Sequence, residues 1–352
     1  MSKIYEFPYK FKDLTDEEKR ISISYQDFGE LNKVESTKYC CLARMKQYAQ
    51  ELYNFNPRKD DVWLVGYPRC GTTLLQEILY LLGTDLNYEK AASKIMDERF
   101  PFLEQILMRT NVDDTLYQKF REQGKPPSGP DEEKLIPYHV KLMNTEEKRF
   151  IKSHFGFDFI HPELLEIGCK VVFITRNIKD CLVSLNYYPR NTQTISSDAE
   201  GLYKMFQYFR KNLEPFGSYF ELLKAAWKRR HSKNLLFLYY EEVVAYKRGA
   251  VIKIGDFLGK KLTENQLNGL LNHISVENFR NNKSLNNDHL VDAGVYIKSG
   301  KRSFIGEGKV GRWREIFPES MNEEVDEWIR SCLNEIPDFE IPECWKQAMD
   351  LN

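Results

Sequence analysis

Four short apolar runs punctuate an otherwise polar chain: VWLVGY (62–67), RFIKSH (149–154), KVVFIT (170–175) and NLLFLYY (234–240). Their length and apolar centres predict strands buried on both faces. Directly after the first run, Leu74, Leu75, Ile78, Leu79 and Leu82 recur at helical spacing. Strand and helix patterns then alternate with no internal repeat, and a further helix is predicted from about Asn322 to Leu333. The predicted fold class is α/β, a single domain with a central parallel sheet flanked by helices. Residues 1–60 read as an N-terminal extension packed on a main domain of residues 61–352. Within that domain about 105–147 is expected to be a surface insertion, because REQGKPPSGPDEEK (121–134) concentrates Gly, Pro and charge before the strand pattern resumes. The charged runs TDEEKR (15–20), NTEEKR (144–149) and NEEVDEW (322–328) read as solvated helix starts and faces, the first two as capping sequences.

Candidate chemistry begins in the turn between the first strand and its helix, GYPRCGTT (66–73). Gly66 and Gly71 lie five apart, and Thr73 takes the Ser/Thr position of a phosphate-binding loop. A nucleoside-triphosphate loop carries lysine directly after the second glycine; here that residue is Thr72, and a cation, Arg69, sits inside the turn. Backbone N–H groups at a helix start, joined by a guanidinium, make an anion cradle, so this is a P-loop-like turn whose anion is still to be identified. At the end of KVVFIT stands Arg176, where a nucleoside-triphosphate enzyme commonly places an acid to hold magnesium. That residue predicts a second anionic group and no metal. In KSH (152–154), Lys152 and His154 share one strand face, and histidine suits proton transfer near neutral pH.

Charge balance keeps the anion site local. With 51 Lys+Arg against 52 Asp+Glu, the 352 residues carry a formal net charge of −1, which offers no global attraction to nucleic acid or anionic membrane. The first residues lack an apolar core of signal-peptide length, and no stretch approaches the roughly 18 apolar residues of a spanning helix. A soluble, cytoplasmic protein is expected. Seven cysteines, at 40, 41, 70, 169, 181, 332 and 344, form no C-x-x-C pair, which favours reduced thiols over a disulfide framework or a zinc site.

In their order and spacing these motifs resemble the cytosolic sulfotransferase family from about Asp61 onward. YPRCGTT is similar to the family's Y-P-K-S-G-T-T loop, KSH to K-T-H, TRNIKDCLVS to R-N-P-K-D-x-x-V-S, FLYYEE to F-x-F-Y-E-D, and GKVGRW to the end of R-K-G-x-x-G-D-W. The long N-terminal extension and the large segment between Glu104 and Lys148 resemble the insect-type branch that includes retinol dehydratase. The resemblance implies transfer of a sulfonyl group from 3′-phosphoadenosine 5′-phosphosulfate (PAPS) to a small hydrophobic alcohol, phenol or amine, leaving 3′-phosphoadenosine 5′-phosphate (PAP), without metal. It implies that His154 is the general base, and that Arg69 and Lys152 stabilise charge on the leaving oxygen. The donor site it implies takes Arg69, Cys70, Gly71, Thr72, Thr73 and Leu74 from the turn, and Arg176 and Ser184 at the 3′-phosphate. Tyr240, Ser275, Val276, Phe304 and Gly308 complete it around the nucleotide. FPFLE (100–104) is similar to the family's acceptor-pocket segment, so Phe102, Lys152 and His154 are expected to bind the acceptor. The aromatic stretches FPFLEQILM and EPFGSYF (214–220) suit such an apolar pocket.

Several positions depart from the family pattern. Arg69 replaces the loop lysine and delivers its charge through a planar fork, Cys70 replaces serine, and Leu74 and Val276 stand where the family stacks Trp and Phe on adenine. In FIGEGK (304–309), Gly306 and Glu307 occupy the places of two cations that grip the 3′-phosphate, leaving Arg302, Lys309 or Arg312 to substitute. REIFPESMNE (314–323) carries Pro318 and Glu319 at the centre of the family's dimer segment, which leaves the oligomeric state open. These departures keep a second function in view: a catalytically weak small-ligand-binding protein on the same fold. Thr72 and Arg176 disfavour a magnesium-dependent kinase of the wider P-loop group.

Overall fold

The computed structural model describes residues 3–22, 29–108, 136–187, 199–288 and 304–350, together with Thr115, Lys119 and Glu122. A small antiparallel sheet comes first, made of β1 (Phe11–Asp13), β2 (Leu31–Val34) and β3 (Cys40–Leu42). Sequence periodicity missed it, because strands of three or four residues are too short to show a period. The four predicted strands follow as β4 (Val62–Gly66), β5 (Phe150–Ser153), β6 (Lys170–Thr175) and β7 (Leu235–Tyr239). They form one parallel sheet in the order β5-β4-β6-β7.

Alternate residues of this sheet feed separate cores. Trp63, Val65, Val171 and Phe173 pack on one face, and Val62, Leu64, Val172 and Ile174 on the other. Both faces are covered, which is why the strand sequences lack the polar alternation of a one-sided sheet. The chain runs from β4 to β5 on one side, then crosses to β6 on the other. Open parallel sheets bind ligands at such a switch, outside the carboxyl ends of the strands.

Several charged runs behave differently from one another. Thr15 and Glu18 form a capping box for the helix Asp16–Ser22: Thr15 Oγ1 accepts from the Glu18 N–H at 3.3 Å and Glu18 Oε2 from the Thr15 N–H at 3.0 Å. The predicted C-terminal helix spans Glu319–Asn334 and starts directly after Pro318. NTEEKR, by contrast, starts no helix. Asn144 ends the helix Tyr138–Asn144, and the run leads into β5. Its Arg149 is buried, bidentate to Asp61 at 2.7 and 2.6 Å, and donates further to the carbonyls of Leu142 and Asn56. The Arg58 N–H completes the Asp61 carboxylate at 2.7 Å. This pair clamps the entries of β4 and β5, and removing one partner strands the other charge. Asp61→Ala is therefore expected to lower stability by about 3–5 kcal/mol, read from the urea midpoint.

The ends of the expected surface insertion are packed. The 3₁₀ helix Leu103–Met108 buries Leu103, Ile106 and Leu107, and Tyr138–Asn144 buries His139 and Leu142. Apart from Glu122, the run 121–134 lies outside the described residues. Among the described residues no helix is long and apolar enough to cross a membrane.

Candidate active site

Sheet register assembles the first part of the site. Val65 of β4 pairs with Ser153 of β5, so Gly66, the last residue of β4, and His154, just past β5, lie side by side at the carboxyl ends of the strands. His154 Nδ1 is 2.5 Å from the Gly66 carbonyl oxygen. A carbonyl only accepts, so Nδ1 carries the proton and Nε2 keeps a lone pair. Burial first, then the nearby Lys152 charge, hold the imidazole well below its ordinary value of 6.5, which leaves it neutral at pH 7. The rings of Phe102 and Phe216 flank it at 5.0 and 5.4 Å. Lys152 lies over Phe102 with its ammonium 5.1 Å from the ring centre, and burial lowers its pKa as well. Behind the strand, the buried Glu104 accepts a hydrogen bond from Ser153, and burial pushes its carboxyl up to about 7.

The turn after β4 leads into the helix Thr72–Gly83, whose first N–H groups and positive dipole end favour an anion. Two residues here are left-handed, Arg69 with φ 68° and Gly71 with φ 94°. A Cβ at Gly71 would stand 2.4 Å from the Tyr240 ring, so the glycine is needed for both its conformation and its missing side chain. Gly71→Ala is expected to lower stability by about 1–3 kcal/mol, again read from the urea midpoint. Arg69 Nε donates to Ser184 Oγ at 3.0 Å, one terminal nitrogen donates to the Phe304 carbonyl at 3.2 Å, and the guanidinium lies 5.1 Å from the Phe304 ring centre.

Arg176, one residue beyond β6, packs 4.5 Å from the Tyr240 ring centre and donates to the carbonyls of Arg69 and Lys309 at 3.3 and 3.2 Å. Its Nε is buried without a hydrogen-bond partner. Asp180 lies 3.6 Å from the same guanidinium and accepts from the N–H groups of Gly311 and Trp313 at 2.7 and 3.3 Å. That carboxylate thereby fastens the 304–313 segment across the site. Arg280, from the helix Val276–Asn281, donates twice to the Gly306 carbonyl. Glu307 pairs with Lys309 at 3.2 Å and Arg312 at 4.0 Å, and the Lys309 hydrogen bond, then the Arg312 charge, keep its carboxyl below the usual range.

A cavity of ≈ 800 Å³ joins these parts. It is bordered by Arg69, Gly71, Thr72, Thr73, Leu74, Phe102, Lys152, His154, Arg176, Ser184, Tyr240, Val276, Phe304 and Gly308. Two candidate residues stand apart. The Cys70 thiol turns into the core, 3.4 Å from that of Cys181, and the Ser275 hydroxyl caps the helix Val276–Asn281. Of the substitute cations, Lys309 and Arg312 border the cavity, and Arg302 lies outside the described residues. Arg280, Tyr208 and Glu214 also border it; Arg280 and Tyr208 belong to no motif, and Glu214 opens the stretch EPFGSYF. Phe216 was visible only as part of an aromatic-rich stretch.

A family model for the sulfotransferase domain matches residues 59–339. The luciferin sulfotransferase of Photinus pyralis is 29% identical over 293 residues, covering 82% of this chain and 75% of the relative. Sulfotransferase 1E1 of Bos taurus is 27% identical over 284 residues, covering 80% and 87%. Retinol dehydratase, solved in complex with androsterone and the inactive cofactor PAP, superposes with a TM-score of 0.82 at 29% identity, over 96% of this chain and 99% of that one. Mouse sulfotransferase SULT7A1, complexed with PAP, shares the fold at a TM-score of 0.61 and 19% identity, over 88% and 97%. The matched span contains the glycine turn after β4, the His154 strand and the segment fastened across the site, and this chain belongs to the sulfotransferase family.

Proposed function

We propose that this chain transfers a sulfonyl group from PAPS to the hydroxyl or amine of a small hydrophobic acceptor in the cytoplasm. The observation that carries the reading is one cavity joining a cationic site to a neutral histidine whose Nδ1 is held by the Gly66 carbonyl. Arg176, Arg280, Lys309 and Arg312 border it together with Arg69 and the start of the helix after the turn, and the Arg69 guanidinium reaches Ser184. Such an arrangement fits a nucleotide that carries more than one anionic group. When bound, PAPS supplies the sulfonyl group and a phosphate leaving group. Thr72, Thr73 and the turn N–H groups hold the 5′ end. Arg176 and Ser184 hold the 3′-phosphate, and Arg280, Lys309 and Arg312 replace the cations missing at Gly306 and Glu307. Tyr240, Leu74, Val276, Phe304 and Gly308 surround the nucleotide.

At the reacting end, His154 takes the acceptor's proton at Nε2, and the Gly66 carbonyl holds the ring in that tautomer. Arg69 and Lys152 stabilise the negative charge that develops beside them. Phe102 and Phe216 wall the acceptor side against water. The solved complexes of retinol dehydratase with retinol and with androsterone support an apolar acceptor here.

One observation favours the second reading, a small-ligand-binding protein that handles the donor weakly: Glu307 pairs with Lys309 and, at longer range, Arg312, and offsets one of their two charges. Calorimetric titration with PAP and with adenosine 5′-phosphate separates the two readings. Because hydrogen bonds to charged groups are worth about 1.5–3 kcal/mol, transfer requires PAP to bind at least tenfold more tightly. If neither nucleotide binds while apolar ligands do, the second reading holds.

A further inference from the structure

The helix Glu343–Met349 lies beyond the residues 59–339 that the family model matches, yet it reaches back to the segment that carries Arg312. The last carbonyls of a helix have no partner within it, and here three side chains from around the site supply one. Arg314, Trp313 Nε1 and Lys179 donate to the carbonyls of Gln347, Ala348 and Met349, each at 2.7 Å. Arg314 also grips Asp350 at 2.6 and 3.0 Å, and the Lys179 ammonium lies 3.9 Å from the Trp313 ring centre. From the same helix, Trp345 Nε1 donates at 3.0 Å to Glu241, which accepts twice from Asn177. Asn177 in turn donates to Asp180 at 3.0 Å, the carboxylate that takes the Gly311 and Trp313 N–H groups. Between these held residues stands Arg312, whose side chain is 31% exposed and borders the cavity. Residues 343–349 do not border the cavity themselves.

We infer that the C-terminal helix is a positioning element of the nucleotide site: it fixes the backbone on both sides of Arg312 and so aims that guanidinium at an anionic group of the nucleotide. The helix contributes no contact of its own, and its effect on binding passes through Arg312. A segment ordered before the ligand arrives loses less conformational entropy on binding. Glu307, 4.0 Å from Arg312 Nε, competes for the same guanidinium, and a segment released from the helix would let that pair close at the nucleotide's expense. This inference rests on the reading of the cavity as a nucleotide site.

The test is a double-mutant cycle on the full chain, read by calorimetric titration with PAP and with adenosine 5′-phosphate. Trp313→Phe keeps an aromatic ring but loses the bond to Ala348, and Arg314→Met gives up the ties to Gln347 and Asp350 from an exposed position. Each is made in wild type and in Arg312→Ala. In wild type each is expected to weaken PAP binding about fivefold, the worth of one neutral hydrogen bond. Arg312→Ala by itself is expected to lose about tenfold or more, as befits a charged contact. In that background the two substitutions are expected to cost nothing further, because residues that act through one another do not add. A purely structural role would lower affinity equally in both backgrounds. That result, no loss in either background, or an Arg312→Ala variant that binds PAP as wild type does, overturns the inference. Should Trp313→Phe fail to fold, Arg314→Met decides the matter. Wild type that prefers PAP while the cycle is additive rejects the positioning role alone. Wild type that binds PAP no more tightly than adenosine 5′-phosphate rejects the nucleotide reading, and the inference falls with it.

Discussion

Replacement of His154 by alanine is expected to lower kcat about 10²–10⁴-fold while leaving PAP affinity within a factor of two or so of wild type. The separation follows from geometry. His154 stands beside the end of β4, hydrogen-bonded through Nδ1 to Gly66 and walled by Phe102 and Phe216, whereas the cationic groups lie on the turn, after β6 and in the 304–313 segment. Truncation removes the Nε2 base and some packing between two aromatic rings, but no cation. Single-turnover rates with a phenol acceptor, paired with PAP calorimetry, check this. Transfer within tenfold of wild type would remove His154 from the role of base. The pH profile carries a second signal. Burial and Lys152 depress the His154 pKa, so the neutral, active form persists as pH falls and is lost only below the ordinary 6.5. The acid limb of kcat/KM is expected below that value. Lys152→Met removes the like charge, raises the His154 pKa and moves the limb upward, even as it slows the reaction.

Arg69→Ala is expected to cost about 10²–10³ in kcat, and to loosen PAP binding as well. Its guanidinium bridges the turn to Ser184 and to the Phe304 carbonyl, so the side chain ties down the segment that carries Lys309 and Arg312, in addition to the charge that the proposed mechanism asks of it. A lysine restores the charge without the planar fork. Arg69→Lys should therefore recover most of kcat but only part of the PAP affinity. Rates and affinities measured on the same preparations separate the two roles. An alanine variant with unchanged kcat would exclude Arg69 from stabilising the leaving charge.

Much of this site is legible in local sequence. The strands β4 to β7 declare themselves as apolar runs because both sheet faces are dry. The turn declares itself because a left-handed residue pressed against an aromatic ring admits only glycine, and Gly71 precedes a leucine-rich helix that is mostly buried. Lys152, His154 and Arg176 could be named because each stands at a recognisable strand end. Other features depended on remote packing. Cys70, placed in the donor site by the resemblance, has its thiol directed into the core against Cys181. NTEEKR has the composition of a helix start, yet Arg149 is withdrawn from it by a carboxylate 88 residues away.

The chain's own pattern therefore settles the α/β class, the glycine turn between β4 and its helix and the residue types at the strand ends, since each depends on backbone geometry and burial within a few consecutive residues. The tautomer of His154 depends on a carbonyl 88 positions earlier, and the anchoring of Arg69 on a residue 235 positions later. Arg280 and Tyr208 join the cavity from helices with no motif of their own. Those features belong to the folded molecule alone, because hydrogen-bond distance between remote segments is set by sheet register and helix packing, which no local period encodes.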